Sequence, residues 1–248
     1  MKEIFATRRR RFMDAVGDDA VVVIPGAGHK IRNSDVEYDF RQNSDFYYLT
    51  GFDEPDSILV LRAGHDEGES VLFVRPRDPA KEVWTGRRAG VEGAVRDYGV
   101  DAAFPISEFD ERLKPLCAGA RRVGYALGSG LTIEQTVVAA ARQHRDQPRL
   151  EITGPDEFFN PQVVLHEHRI VKTEAELRCL RRASDITVEA HHEAMRVCRP
   201  GCWEYELQAA LEYVFVAAGA ERVGYSSIVA AGENATILHY NTNRMQVM

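Results

Sequence analysis

The feature that most narrows the fold is an alternation in the first half of the chain, where short apolar runs of strand length stand between amphipathic stretches of helix length. Residues 20–24, 57–61 and 71–74 are uncharged and rich in Val, Leu and Ile, as buried strands are. Residues 107–114 and 131–144 carry the helical spacing of apolar positions. A chain of this pattern stacks a sheet against helices, so an α/β domain is the simplest account. Pro25-Gly26-Ala27-Gly28 and Arg75-Pro76-Arg77-Asp78-Pro79 interrupt regular pairing and read as loops, where functional groups concentrate.

The character of the chain changes after residues 155–161, a stretch punctuated by Pro155 and Pro161. The expected division is an α/β domain over 1–170 and a second domain over 171–248. Thr173 and Glu176 form a T-x-x-E capping box, so a long helix is expected to start near Thr173. Leu177, Leu180, Ala183, Ile186, Ala190, Ala194 and Val197 recur at steps of three and four, giving one apolar stripe that ends at Pro200-Gly201. A second helix is expected over 203–218. Residues 226–231 and 236–240, with the turn Gly232-Glu233-Asn234 between them, read as a hairpin of two strands. Two helices and a hairpin make a poor complete domain, and the expectation is of a truncated one.

Composition removes several function classes. The net charge of −7 opposes the broad basic surface on which phosphate-backbone affinity depends, so nucleic acid is not expected as a partner. The one basic run, Arg8 to Arg11, reads as a solvated helix face. The amino terminus has no apolar run of signal-peptide length and no segment approaches a membrane span, which makes a cytoplasmic location and no membrane partner the expectation. Cys117, Cys179, Cys198 and Cys202 are too sparse for a disulfide framework. Cys198-x-x-x-Cys202 is broken by Pro200-Gly201 and reads as idle thiols. His166-Glu167-His168 fails the helical zinc spacing, because Ile170 stands where the second histidine is needed. His191 and His192 are adjacent on a helix, project about 100° apart and read as surface residues.

Three segments carry a resemblance. Phe40-Arg41-Gln42-Asn43-Ser44-Asp45-Phe46, running on through Tyr47-Tyr48-Leu49-Thr50-Gly51-Phe52 to Glu54-Pro55, resembles the amino-terminal domain of bacterial Xaa-Pro aminopeptidases, the aminopeptidase P family. Lys172, Arg181-Arg182-Ala183, Cys198-Arg199-Pro200-Gly201 and Glu204-Tyr205-Glu206 are similar to the opening helices of that family's catalytic domain, the pita-bread fold. Gly232-Glu233-Asn234-Ala235-Thr236-Ile237-Leu238-His239-Tyr240, with Asn243, looks like the strand that delivers the family's first active-site histidine.

The resemblance implies a creatinase/prolidase-like α/β domain followed by an incomplete α+β pita-bread domain. It implies a hydrolase that removes the residue before a proline, using two metal ions, usually manganese, held by two aspartates, a histidine and two glutamates that all follow the His-Tyr strand. None of those five ligands is assigned within 1–248, so this length by itself is expected to bind manganese weakly and not to hydrolyse an Xaa-Pro bond. Among the residues present, the resemblance makes His239 the candidate catalytic group beside the metals. Read without it, a single histidine after Thr236-Ile237-Leu238 is a partly buried structural residue. It also makes Trp84 and Asp35 candidates at the mouth of the substrate cleft, Trp84 sometimes serving a neighbouring subunit. The bland alternatives are a tryptophan pinning its own loop and an aspartate capping its own turn. Arg41, Asn43 and Asp45 read as structural groups in a turn before a buried element. Peptides with proline second and a homo-oligomeric partner complete the expectation, with prolidase, restricted to dipeptides, and a non-catalytic binding module as the alternatives.

Overall fold

The computed structural model describes residues 2–128, 132–143 and 153–248, which fall into two compact units, Met1–Ile170 and Val171–Met248. In the first, helix α1 (Lys2–Val16) leads into strand β1 (Ala20–Pro25), and a small hairpin of β2 (Ile31–Asn33) and β3 (Val36–Glu37) precedes α2 (Ser44–Thr50). Strands β4 (Ile58–Leu61) and β5 (Ser70–Val74) follow, then α3 (Pro79–Thr85), α4 (Gly90–Tyr98) and β6 (Ala102–Pro105). A single 3-10 turn, Ile106–Glu108, runs into α5 (Phe109–Cys117), and β7 (Arg122–Gly124), α6 (Ile133–Gln143), β8 (Glu157–Phe159) and α7 (Gln162–Ile170) close the unit.

Six strands form one sheet in the order β6-β5-β4-β1-β7-β8. Val23 of β1 faces Val60 of antiparallel β4, and Val21 faces Val123 of parallel β7. The β4–β5 pair is antiparallel, whereas β5–β6 and β7–β8 are parallel. Only β4 therefore runs against its neighbours.

Successive residues of β1 point to opposite faces, and both faces are covered. Val21 and Val23 join Phe109, Leu113 and Leu116 of α5 and Val137 and Ala140 of α6. Ala20, Val22 and Ile24 join Phe12 of α1, Phe46 and Leu49 of α2, Ala94 of α4 and Leu165 of α7. Three layers result, because an all-apolar strand has no face it can give to water.

Several expectations change here. The punctuating stretch over 155–161 contains β8, whose Phe158 pairs with Val123. The helix expected over 107–114 is a 3-10 turn followed by α5, and the ends of the one expected over 131–144 lie outside the described residues. The basic run is not wholly solvated. Arg9 is buried and donates to the carbonyls of Leu49 and Gly99, and the Arg8 guanidinium lies 4.2 Å over the Tyr48 ring; Arg10 and Arg11 are the exposed pair. An arginine in this position ties α1 to the C-terminal ends of α2 and α4, where carbonyls lack helical partners.

In the second unit α8 (Glu174–Val197) starts at the capping box, with the Thr173 amide 2.8 Å from a Glu176 carboxylate oxygen, and α9 (Glu204–Ala217) packs against it. The stripe on α8 is buried only at Ile186 and Ala190; Leu180 is 52% exposed, since α9 covers the middle of the helix and not its whole apolar length. The expected hairpin is absent among the described residues. Gly232–Thr236 is a 3-10 turn, and the extended backbone around it bonds to side chains instead of a partner strand. No described helix is long and apolar enough to cross a membrane.

A protein consisting of residues 1–170 is expected to unfold in one cooperative transition, because both of its apolar clusters are built from this span. In that protein Leu72→Ala, which empties a fully buried position in β5, should cost about 2–5 kcal/mol in urea titration. A gradual, multi-step transition would show that the span lacks its own core.

Candidate functional site

The longest motif of the first unit turns out to be architectural. Asn43 caps α2, its side-chain oxygen accepting from the amides of Asp45 and Phe46 at 2.9 and 3.1 Å. Arg41 donates to the Gln42 carbonyl and to the Ser44 hydroxyl. Asp45 faces α7, where Gln162, His166 and Arg169 converge on its carboxylate. The His166-Glu167-His168 string therefore braces helices: His166 reaches Asp45 at 3.2 Å, and the His168 ring stands edge-on to Phe12 at 6.4 Å. Burial, with Arg11 nearby, lowers the pKa of His168. An open cleft of about 480 Å³ lies here, lined by Lys30, Tyr38, Arg41, Asp45, His166 and Arg169 among others.

Asp35 sits in the turn between β2 and β3, after Ser34 in the left-handed region at φ 51°. Its side chain is exposed and caps nothing among the described residues, so the turn-capping alternative fails. Trp84 is on α3, a short helix whose first amides are satisfied by Asp78 and which Arg77 braces through a two-point contact with Glu82 at 3.0 and 3.1 Å. The indole is 89% exposed, and no residue of α3 is buried. It does not pin the helix to its own unit, and a large aromatic face is left for a partner or ligand.

His239 lies in an exposed turn, not on a strand, with the Tyr240 amide 3.3 Å from the Ile237 carbonyl. The turn is held by a neighbour that the sequence reading quoted but gave no role. Glu204, at the start of α9, is the only buried residue of that helix. One carboxylate oxygen accepts from the Ala231 amide at 2.7 Å and the Asn234 side chain at 3.4 Å. The other accepts from the Tyr240 hydroxyl at 2.7 Å and the Met245 amide at 2.8 Å. Burial alone would raise the pKa of Glu204, but the donors from Met245, Ala231, Tyr240 and Asn234 outweigh it and hold the carboxyl below the usual range. The bond to Glu204 in turn raises the Tyr240 phenol. His191 and His192 are exposed as expected. All four cysteines are free, and burial pushes the Cys117 thiol up to about 12. Among the described residues no three His, Cys, Asp or Glu side chains come together as a metal site.

Comparison with known proteins follows the same two-part organisation. Residues 5–124 match the aminopeptidase P N-terminal domain, and residues 178–247 match metallopeptidase family M24. The chain carries an aminopeptidase P N-terminal domain followed by part of a metallopeptidase family M24 domain. An Xaa-Pro aminopeptidase of Escherichia coli (strain K12) is 38% identical over 247 residues, covering 99% of this chain and 56% of that protein. The structure of Pseudomonas aeruginosa aminopeptidase PepP superposes with a TM-score of 0.95 at 43% identity, over 100% of this chain and 56% of that one. A zinc-substituted E. coli aminopeptidase P in complex with product superposes with a TM-score of 0.94 at 38% identity, over 100% and 56%. The chain thus spans a little over half the length of the relatives it matches. Its fold is the aminopeptidase P amino-terminal domain joined to part of a metallopeptidase domain.

The ionisation of Glu204 sets a pH dependence. Its folded pKa is depressed, so its contribution to the second unit is complete above the ordinary glutamate range and is lost as pH falls through the folded value. The NMR signals of Ala231, Tyr240 and Met245 are expected to hold their native positions from pH 8 to 5 and to broaden on further acidification. In Glu204→Gln that acid transition should be missing or displaced; an identical transition in both proteins would assign it to another group.

Proposed function

We propose that this chain belongs to a cytoplasmic, manganese-dependent Xaa-Pro aminopeptidase, and that His239, Trp84 and Asp35 are its contributions to substrate handling. The observation that carries the reading is the match along nearly the whole chain, in order, to the two parts of this family, with the histidine motif standing exposed on a turn pinned from behind. The Xaa-Pro bond is a tertiary amide with no N–H to bind, and the proline ring restricts its shape, so recognition depends on apolar contact and on groups that meet the carbonyl.

His239 would donate toward the oxygen of that carbonyl as negative charge develops on it, a task suited to an exposed imidazole. The exposed indole of Trp84 offers a flat apolar face to a prolyl ring, and a second copy of the protein is the natural owner of the cleft it would serve. The Asp35 carboxylate, exposed and without a partner among the described residues, would draw the cationic amine end of a peptide. The described residues do not fit a metal pair, since no clustered hard donors are present among them. The proposed manganese dependence is a property of the full-length protein. A net charge of −7 opposes the broad basic surface that nucleic acid binding needs and is compatible with a peptide substrate.

Full-length protein supplied with manganese is expected to release glycine from Gly-Pro-Ala, and chelator should stop it; action on Gly-Pro alone would make the protein a prolidase instead. His239→Ala should lower kcat by about 100-fold or more without changing the urea midpoint, because the ring is exposed. Trp84→Ala is expected to raise KM more than it lowers kcat. Residues 1–248 alone should show no chelator-sensitive release.

A further inference from the structure

Glu204 is the first of three polar residues spaced by four along α9, with Gln208 and Glu212 behind it, so the three share one face of the helix. Each meets the segment that carries His239 at a different point. Glu204 takes the Ala231 and Met245 amides, the Asn234 amide and the Tyr240 hydroxyl. The Gln208 side-chain oxygen accepts from Asn243 at 2.8 Å, and its nitrogen donates to Glu212 at 2.9 Å. Glu212 also accepts from the Ser227 hydroxyl at 2.7 Å. Asn243 completes the lattice. It is 1% exposed, sits in the left-handed region at φ 50°, accepts from the Val229 amide and donates to the Ser227 carbonyl.

Both limbs of the excursion are thus tied to the same helix face. The leading limb is held at Ser227, Ala231 and Asn234, and the returning limb at Tyr240, Asn243 and Met245. Between them His239 and Leu238 are the exposed tip, Leu238 at 89%. The returning limb is also tied through the backbone: the Glu204 amide donates to the Met245 carbonyl at 3.0 Å and the Gly201 amide to the Val247 carbonyl at 2.7 Å.

We propose that Glu204, in register with Gln208 and Glu212, is the positioning residue for His239, fixing the turn on which that imidazole stands so that it meets substrate from one direction. This rests on the reading of His239 as a substrate-facing group. The carboxylate is needed for the geometry, because four donors converge on two oxygens. A glutamine there presents one acceptor and an NH2 group. The NH2 group must face either the Ala231 amide or the Met245 amide, neither of which can accept. One limb is therefore released whichever way the amide lies.

The test uses the full-length protein and three substitutions, Glu204→Gln, Tyr240→Phe and His239→Asn. Hydrogen exchange of the Ala231 and Met245 amides is expected to quicken about tenfold or more in Glu204→Gln. Tyr240→Phe, which removes one donor to Glu204 and the acceptor of Asn234 and Arg244 but leaves the carboxylate and its other donors in place, should quicken them less, and the amides of Val22 and Leu72 in the first unit should be unchanged in both. In hydrolysis of a Gly-Pro peptide, Glu204→Gln should lower kcat about tenfold or more with little change in KM, and should cost nothing further once His239→Asn is present. Exchange at Ala231 and Met245 within about twofold of the unsubstituted protein would overturn the proposal. So would a full multiplicative loss in the His239→Asn background, since a residue acting only through general stability would produce it. Lack of peptide hydrolysis by the unsubstituted protein would count against the proposed activity, and exchange at the two amides then decides the positioning role by itself.

Discussion

The first unit depends on one strand. β1 is buried along residues 20–24 and is hydrogen-bonded on both edges, to β4 in one direction and to β7 in the other. A strand so enclosed leaves no backbone group for water and no face for solvent. The sheet must grow outward from it on both sides, and helices must cover it above and below. α5 and α6 meet the face of Val21 and Val23, while α1, α2, α4 and α7 meet the face of Val22 and Ile24. The long motif at residues 40–55 follows from the same requirement. It builds α2, which plugs the second face with Phe46 and Leu49, and its polar members satisfy the ends of that helix and its joint with α7.

The sequence reveals those elements that local chemistry determines. Strands β1, β4 and β5 are visible because burial on both faces requires unbroken apolar runs, and the start of α8 is visible because Thr173 and Glu176 answer each other within one turn. Strands β7 and β8 are hidden, since a three-residue parallel strand is too short to show a period, and Arg122 and Glu157 within them read as surface. Their pairing depends on contacts from a distant part of the chain. Arg9 was misjudged for a related reason. Its run looks like a solvated face, but the carbonyls it meets belong to residues 40 and 90 positions away.

The candidate site divides along the same line. His239, Trp84 and Asp35 are candidates through the resemblance, and all three are exposed. Glu204 stands in one of the resembling segments but carries no role of its own there. A glutamate in the first turn of a helix is ordinarily explained by the helix dipole, and that explanation satisfies the reader of a sequence. The cue was the spacing of Glu204, Gln208 and Glu212, which puts three acceptors in a line on a helix whose apolar residues are only half covered. The donors to Glu204 are 27 or more positions downstream, on irregular backbone that resembles a hairpin in one dimension.

That misreading has a physical explanation which bears on why a carboxylate sits at residue 204. Residues 226–240 have the composition of paired strands, but a strand pair would satisfy its amides mutually and leave the turn free to slide in register. Fixing those amides on side chains of a helix removes that freedom, because the helix holds each acceptor in one position. A buried carboxylate is a poor choice for stability alone, since an apolar residue of similar volume often holds a core as well or better. Its advantage is discrimination: an apolar side chain would tolerate many arrangements of Ala231, Asn234, Tyr240 and Met245, whereas two oxygens with four donors tolerate very few. Under the role proposed for His239, which immediately precedes Tyr240, a single arrangement of that turn is worth the cost of burying the charge.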